Sequence, residues 1–153
     1  MKINIEIDPS ITDYEVTIKC SQIDNTVAKL QRMLSESTEQ TASIVLYHGE
    51  TEFYMPLSKI LFFETSDGLL MAHTATDAFE VRHKLYELEE LLPSYFMRIS
   101  KSAILNTRKV YAITRNITAS SLVEFQGTKK TVYVSRNYYK SLRDRLSPER
   151  NES

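Results

Sequence analysis

Apolar and polar residues alternate with a period of two over residues 2–7, where Ile3, Ile5 and Ile7 face away from Lys2, Asn4 and Glu6. That alternation predicts a strand with one buried face, closed by Asp8-Pro9. Residues 14–20 repeat the pattern with Val16, Ile18 and Cys20 on one side. The period then changes to that of a helix. Ile23, Val27, Leu30 and Leu34 fall on a single helix face, with Ser21 as the predicted N-cap and Asp24 three residues on. The run SESTEQTAS at 35–43 is polar and poor in β-formers, and predicts a linker.

Beyond the linker the chain turns strongly β. Strands are predicted over 43–48, 51–55, 60–65, 69–74, 78–82, 96–99, 103–105, 109–115, 121–126 and 130–134. His48-Gly49-Glu50 and Asp67-Gly68 read as hairpin turns that need positive φ. A short helix over 83–92 presents Leu85, Leu88, Leu91 and Leu92 and stops at Pro93. A last helix starts after Ser135, presents Tyr138, Tyr139, Leu142 and Leu146, and ends before Pro148.

Composition narrows the class without settling it. A chain of 153 residues with 42% hydrophobic and 25% charged residues is long enough for one well-cored globular domain with a small extension. The longest apolar runs, ILFF at 60–63 and LLMA at 69–72, are far too short to span a membrane. The N-terminus has no signal-like apolar core and Cys20 is the sole cysteine, so a cytoplasmic, reducing location is expected, with Cys20 half-buried in its strand. Net charge is −1, but it is unevenly spread. Residues 1–97 carry 7 Lys+Arg and 16 Asp+Glu, a net of −9; residues 98–153 carry 12 and 4, a net of +8. Such a split predicts a molecule with a positive face, unless the two halves neutralise each other.

Catalytic patterns are absent. His48, His73 and His83 lack ligand spacing with one another or with Cys20, and no phosphate loop, nucleophile elbow or Cys/His pair occurs. The carboxylates Glu87, Glu89 and Glu90 lie beside a leucine stripe, as on a solvated helix face. No enzyme, cofactor, metal or small-molecule substrate is expected.

Two stretches remain. YFMRISKSAILN at 95–106 interleaves apolar residues with Arg98, Ser100, Lys101 and Ser102, and YVSRNYY at 133–139 places Ser135 at a helix start with Arg136 in its first turn. Each sets an arginine, a hydroxyl and backbone N–H groups near one another, a combination suited to phosphate. The competing readings pair Arg98 with a carboxylate of the 87–90 helix and make Ser135 a plain N-cap.

With these landmarks the chain resembles a LytTR domain, the mainly β DNA-binding domain of many bacterial response regulators. The resemblance runs from Ile44 to Leu146 through ILFFETSDGLLMAH at 60–73, LYELEELLPSYFMRISKSAILN at 85–106 and YVSRNYYKSLRDRL at 133–146. Arg98, Ser102, Ile104, Leu105 and Asn106 meet the family's Arg-to-Asn pattern, and Ser135-Arg136 its Ser-Arg pair. Ser100 stands where many members have histidine, and the hairpin tip is the short Ser66-Asp67-Gly68. Residues 1–42 are too short for a phospho-receiver domain, so the chain resembles a stand-alone regulator of this type.

The resemblance implies a mainly β (α+β overall) fold of three small β-sheets stacked into an elongated body with short helices. A strand/helix extension at 1–42 precedes the DNA-binding domain at 43–146, and 147–153 is a frayed tail. It implies a sequence-specific double-stranded DNA-binding transcription regulator that acts through loops. Lys101 and Arg136 are expected on bases; Arg98, Ser102, Ser135 and Asn137 on phosphates; Ser66 and Gly68 at an adjacent groove segment. The implied partners are DNA carrying paired direct repeats, a second copy through the extension, and a small membrane protein that restrains the regulator. The rival reading is a protein-interaction module whose basic C-terminal half docks an acidic partner. A single-stranded RNA binder is a weaker third, since the aromatic signature of RNA-stacking sheets is missing.

Overall fold

The computed structural model describes residues 1–12, 14–39 and 42–147. They divide into two compact units, Met1–Leu34 and Ser35–Ser153.

In the first unit, helix α1 spans Asn25–Glu39 and continues into the second. Its first turn is capped by Asp24, whose carboxylate accepts the Val27 N–H at 2.9 Å. The cap therefore lies three residues beyond the expected Ser21, and part of the expected linker, 35–39, is helical. Asp and Ser cap equally well, so sequence alone could not choose between them. The strands expected over 2–7 and 14–20 do not form. Ile3, Ile5 and Ile7 are 80%, 87% and 90% exposed, and Cys20, expected half-buried, is exposed too. Alternation supplies a strand with a face but not with a partner, and an isolated pair of strands is marginal in water.

The second unit holds ten strands among its described residues. Seven, β1 (Ser43–His48), β2 (Thr51–Pro56), β3 (Phe62–Ser66), β4 (Leu69–His73), β5 (Ala78–Glu80), β6 (Phe96–Arg98) and β7 (Ala103–Asn106), form one antiparallel sheet in the order β2-β1-β5-β4-β3-β7-β6. The other three, β8 (Val110–Thr114), β9 (Ser121–Phe125) and β10 (Thr131–Val134), form a second in the order β10-β9-β8. Helices α2 (Leu85–Leu91) and α3 (Arg136–Leu146) complete it. The mainly β expectation holds, with two sheets where three were expected. The β1–β2 hairpin joins the larger sheet through the pairing of Tyr47 with Glu80, which merges what would be separate sheets.

Strand β3 sits near the middle of the large sheet, and its two faces feed two cores. Phe63 points into a cluster with Leu46, Ile60, Phe79 and Leu88 of α2. Phe62, its neighbour, points the other way into a cluster with Leu105, Val123, Val132 and Leu142 of α3. Burial of each such side chain contributes roughly 1.5–3 kcal/mol, so the period of two makes β3 the shared wall of both cores. Across the second core Phe62 stacks on Phe125 with ring centroids 5.3 Å apart.

Polar contacts fix how the second sheet meets the first. The hairpin after β9 reaches the β4–β5 turn: Thr128 Oγ1 donates to the Ala75 carbonyl at 2.8 Å, and Lys130 Nζ donates to the Asp77 carbonyl. Lys130 Nζ also lies 3.3 Å from His73 Nδ1, and the His73 ring stacks on Phe62 at 4.4 Å. Burial, and secondarily the Lys130 ammonium, push the His73 imidazole down to about 4, so it packs neutral against the aromatic ring. Lys130 thus ties the two sheets together. Asn106, a turn landmark in the sequence, is a buried bracket: its Nδ2 donates to the Ile60 carbonyl at 3.0 Å and its Oδ1 accepts from the Arg108 N–H at 3.0 Å. Among the described residues no helix is long and apolar enough to cross a membrane. The tail assigned to 147–153 lies, apart from Ser147, outside the described residues.

Candidate nucleic-acid interface

The two stretches singled out in the sequence and the β3–β4 hairpin tip meet at one end of the large sheet. The β3–β4 tip is a two-residue turn with positive φ at both central positions, 52° at Asp67 and 79° at Gly68. Both angles positive is the hairpin geometry that matches strand twist, and Gly68 adopts it without a Cβ penalty. Ser66, Asp67 and Gly68 are all exposed. The tip is pinned to the β6–β7 loop by the Thr65 N–H, which donates to the Ser102 carbonyl at 2.8 Å. The same loop is pinned to the start of α3, where the Ser135 N–H donates to the Ile99 carbonyl at 2.9 Å. Two backbone hydrogen bonds therefore hold three chain segments, distant in sequence, in one row.

Within the β6–β7 loop, Ile99 is fully buried and its N–H donates to the Ala103 carbonyl at 3.0 Å, closing a tight turn. Ser100 Oγ accepts the Ser102 N–H at 3.1 Å and lies 3.3 Å from Ser102 Oγ. Lys101, at the crest, is exposed. Arg98 is turned inward. Its Nε donates to the Ser100 carbonyl and its Nη2 to the Lys101 carbonyl, both at 2.6 Å, and Nη1 pairs with Glu89 Oε1 of α2. The residue expected on phosphate is thus bound to the loop that carries Lys101. Two donors of one fixed fork hold the loop, and the third anchors the fork to α2.

Ser135 stands at the N-cap position of α3, and its carbonyl accepts the N–H groups of Tyr138 and Tyr139 at 3.0 Å each. Its hydroxyl makes no capping hydrogen bond, unlike a plain N-cap serine. Arg136, the first helical residue, and Asn137 are both exposed. The helix is seated behind them by fully buried Leu142, with Tyr138, Tyr139 and Leu146 packed on the same core. Arg136 therefore leaves from a fixed junction.

Electrostatics favour an anion along this row. From residue 91 to residue 143, Glu124 is the sole acidic residue. On the larger sheet Glu64 is half-buried in register with Ala103, and burial pushes its carboxyl up, towards the uncharged form. Asp67 at the tip repels phosphate, so the tip suits the donor edge of a base better than the backbone. The sequence reading passed over the β8–β9 loop. Arg115, just past β8, is exposed and sets its guanidinium 5.0 Å from the ring centroid of Tyr139, in the first turn of α3. The long stretch free of acids around it was the available signal.

Among the described residues no His/Cys/Asp/Glu group could hold a metal ion. The arrangement offers two exposed cations, Lys101 and Arg136, flanked by hydroxyls and a carboxamide on a rigid base.

Known proteins resemble this chain in sequence and in fold. A family model described as the LytTr DNA-binding domain matches residues 50–147. An uncharacterized HTH-type transcriptional regulator of Staphylococcus aureus (strain NCTC 8325) is 28% identical over 148 residues, covering 96% of this chain and 99% of that protein. A similarly named protein of the bovine strain RF122 / ET3-1 is 26% identical over 147 residues, with the same shares covered. Among solved structures, a LytTr DNA-binding domain from Bacillus cereus superposes with a TM-score of 0.63 at 24% identity, covering 69% of this chain and 97% of its own. That likeness establishes a common fold. The relatives' names speak of an HTH type, but among the described residues no two α-helices are consecutive: strands separate α1 from α2 and α2 from α3.

Proposed function

Because the chain belongs to the LytTr DNA-binding domain family, we propose that it is a sequence-specific, double-stranded DNA-binding transcription regulator that works through loops instead of a recognition helix. The observation that carries the reading is the row held by the Thr65–Ser102 and Ser135–Ile99 hydrogen bonds. It brings three chain segments, distant in sequence, to one edge, and that edge supports the reading. In this reading Lys101 and Arg136 reach base edges in the major groove, Arg136 at a guanine O6/N7 pair. Ser102, Ser135 and Asn137 hold phosphates and fix the register. Ser66 and Gly68 at the tip touch the next groove segment. Arg98 acts one step back, by shaping the loop under Lys101. The protein performs no catalytic step and works in the cytoplasm.

A mobility shift with the DNA upstream of the protein's own gene, set against random duplex of equal length, tests this directly. Tighter binding to the upstream duplex is expected, weakening steeply with salt. Equal, weak binding to both would favour the rival, a basic surface that docks an acidic protein.

The extension serves a second purpose in this proposal: it joins two copies. Residues 2–7 and 14–20 keep their alternating pattern yet form no strand, and their isoleucines are exposed. Antiparallel pairing of two copies about Thr17 would set Glu15 of one against Lys19 of the other, and Val16 against Ile18. Sedimentation of the full chain should give a dimer, and a chain starting near residue 40 a monomer that still shifts DNA. A full chain that stays monomeric at tens of micromolar would remove this role.

A further inference from the structure

We propose that the β8–β9 loop, residues 115–120, is a fourth DNA-contacting element, with Arg115 holding a backbone phosphate at the flank of the site. The inference rests on the DNA-binding reading above and lengthens its footprint. The row of loops does not end at Arg136. Strand β10, which runs into Ser135, pairs with β9 so that Val134 lies opposite Ser121. Ser121 is the residue at which the β8–β9 loop ends, and its Oγ accepts the Asn116 N–H at 3.0 Å. The loop is folded by Asn116, whose Oδ1 accepts the Thr118 N–H and hydroxyl, each at 3.2 Å. It therefore stands next to the Ser135–Arg136 junction, on the side away from Lys101.

Arg115 links this loop to that junction. Its guanidinium over the Tyr139 ring is held within one helical turn of Arg136. A cation resting on an aromatic face keeps its outward N–H groups for another acceptor. The loop and its flanks carry no carboxylate from residue 115 to residue 123 that could compete. Beside Arg115 opens a shallow hollow of about 490 Å³, lined by Asn116, Thr118 and Ser120 and by the more apolar Ile117, Leu122 and Tyr133. One held cation and hydroxyls beside the apolar surface of Ile117 and Tyr133 suit a phosphate with its sugar better than a base edge. The contact should thus add affinity without adding sequence preference.

The test is a salt titration of binding by the full chain to the upstream duplex and to random duplex of equal length. Arg115→Ala should lower the magnitude of the log–log salt slope by about 0.9 on both duplexes. That corresponds to roughly eightfold weaker binding at 0.1 M salt, with an unchanged specific-to-random ratio. Arg115→Gln, which keeps the chain length and most of the packing on Tyr139, should behave alike; it decides the matter if the alanine variant melts early. Unchanged slopes and affinities in the folded variants, with Arg136→Ala still impaired, would overturn the fourth contact and leave the main reading standing. Failure of the wild-type chain to bind either duplex would overturn both.

Discussion

Arg136→Lys should keep the fold and the affinity for random DNA while losing roughly 1–3 kcal/mol on the specific site. Arg136 is the first residue of α3, and the junction before it is fixed from three sides. The Ser135 N–H is held by the Ile99 carbonyl, the Ser135 carbonyl by two helix N–H groups, and the helix by Leu142 in the core. A side chain leaving so fixed a point loses little further entropy when its end is held. The guanidinium then matters by shape: its planar fork meets guanine O6 and N7 together, whereas an ammonium offers one point charge. Charge toward the backbone is the same in both residues, so random-DNA affinity should stay level at matched salt. Arg136→Ala should lose the discrimination and part of the general attraction besides. The measurement is the specific-to-random affinity ratio. A ratio that lysine leaves unchanged would make Arg136 a gripping residue and move base reading to Lys101.

Most of the β body was legible because its signals are local. The strand expected over 60–65 forms as β3, and Asp67-Gly68 announced a turn with positive φ, which the two angles match. Ser135 before a run with helical spacing placed Arg136 at the first helical residue. What stayed hidden depends on partners far off in the chain. Nothing near Lys130 in sequence names His73, and nothing near Ser135 names Ile99. The isoleucines of 2–7 fixed a face but could not supply the neighbouring strand that makes a ladder. The first helix began later and ran longer than its pattern suggested, since Ser21 and Asp24 are both good caps and the polar residues after Leu34 differ little in helix propensity. At the site, sequence brought forward loops that the fold sets in one row, without saying which of their side chains face out. Arg98 and Lys101 look alike as cations three residues apart, yet one is spent on carbonyls and a carboxylate and the other stands clear.

That difference gives the second large effect, carried by Arg98 and Glu89 together. If Arg98 positions the loop, Arg98→Ala frees the Ser100 and Lys101 carbonyls and lets the crest move, so specific binding should fall about tenfold or more, the cost of one or two charged hydrogen bonds. Random-DNA binding, which needs only charge in the neighbourhood, should fall far less. Glu89→Gln supplies the opposite-sign test. Removing an acidic charge and releasing Arg98 would strengthen DNA binding if Arg98 were a phosphate ligand held in reserve. If the Glu89 contact braces the loop, the same change weakens specific binding, because the guanidinium loses the partner that orients its fork. The pair is partly exposed, with side chains 21% and 43% accessible, so the bridge itself contributes only modestly to stability and both variants should fold. Affinity for the specific duplex therefore moves in opposite directions under the two roles. A gain in the glutamine variant would return Arg98 to the phosphate backbone, and a loss would confirm it as the brace beneath Lys101.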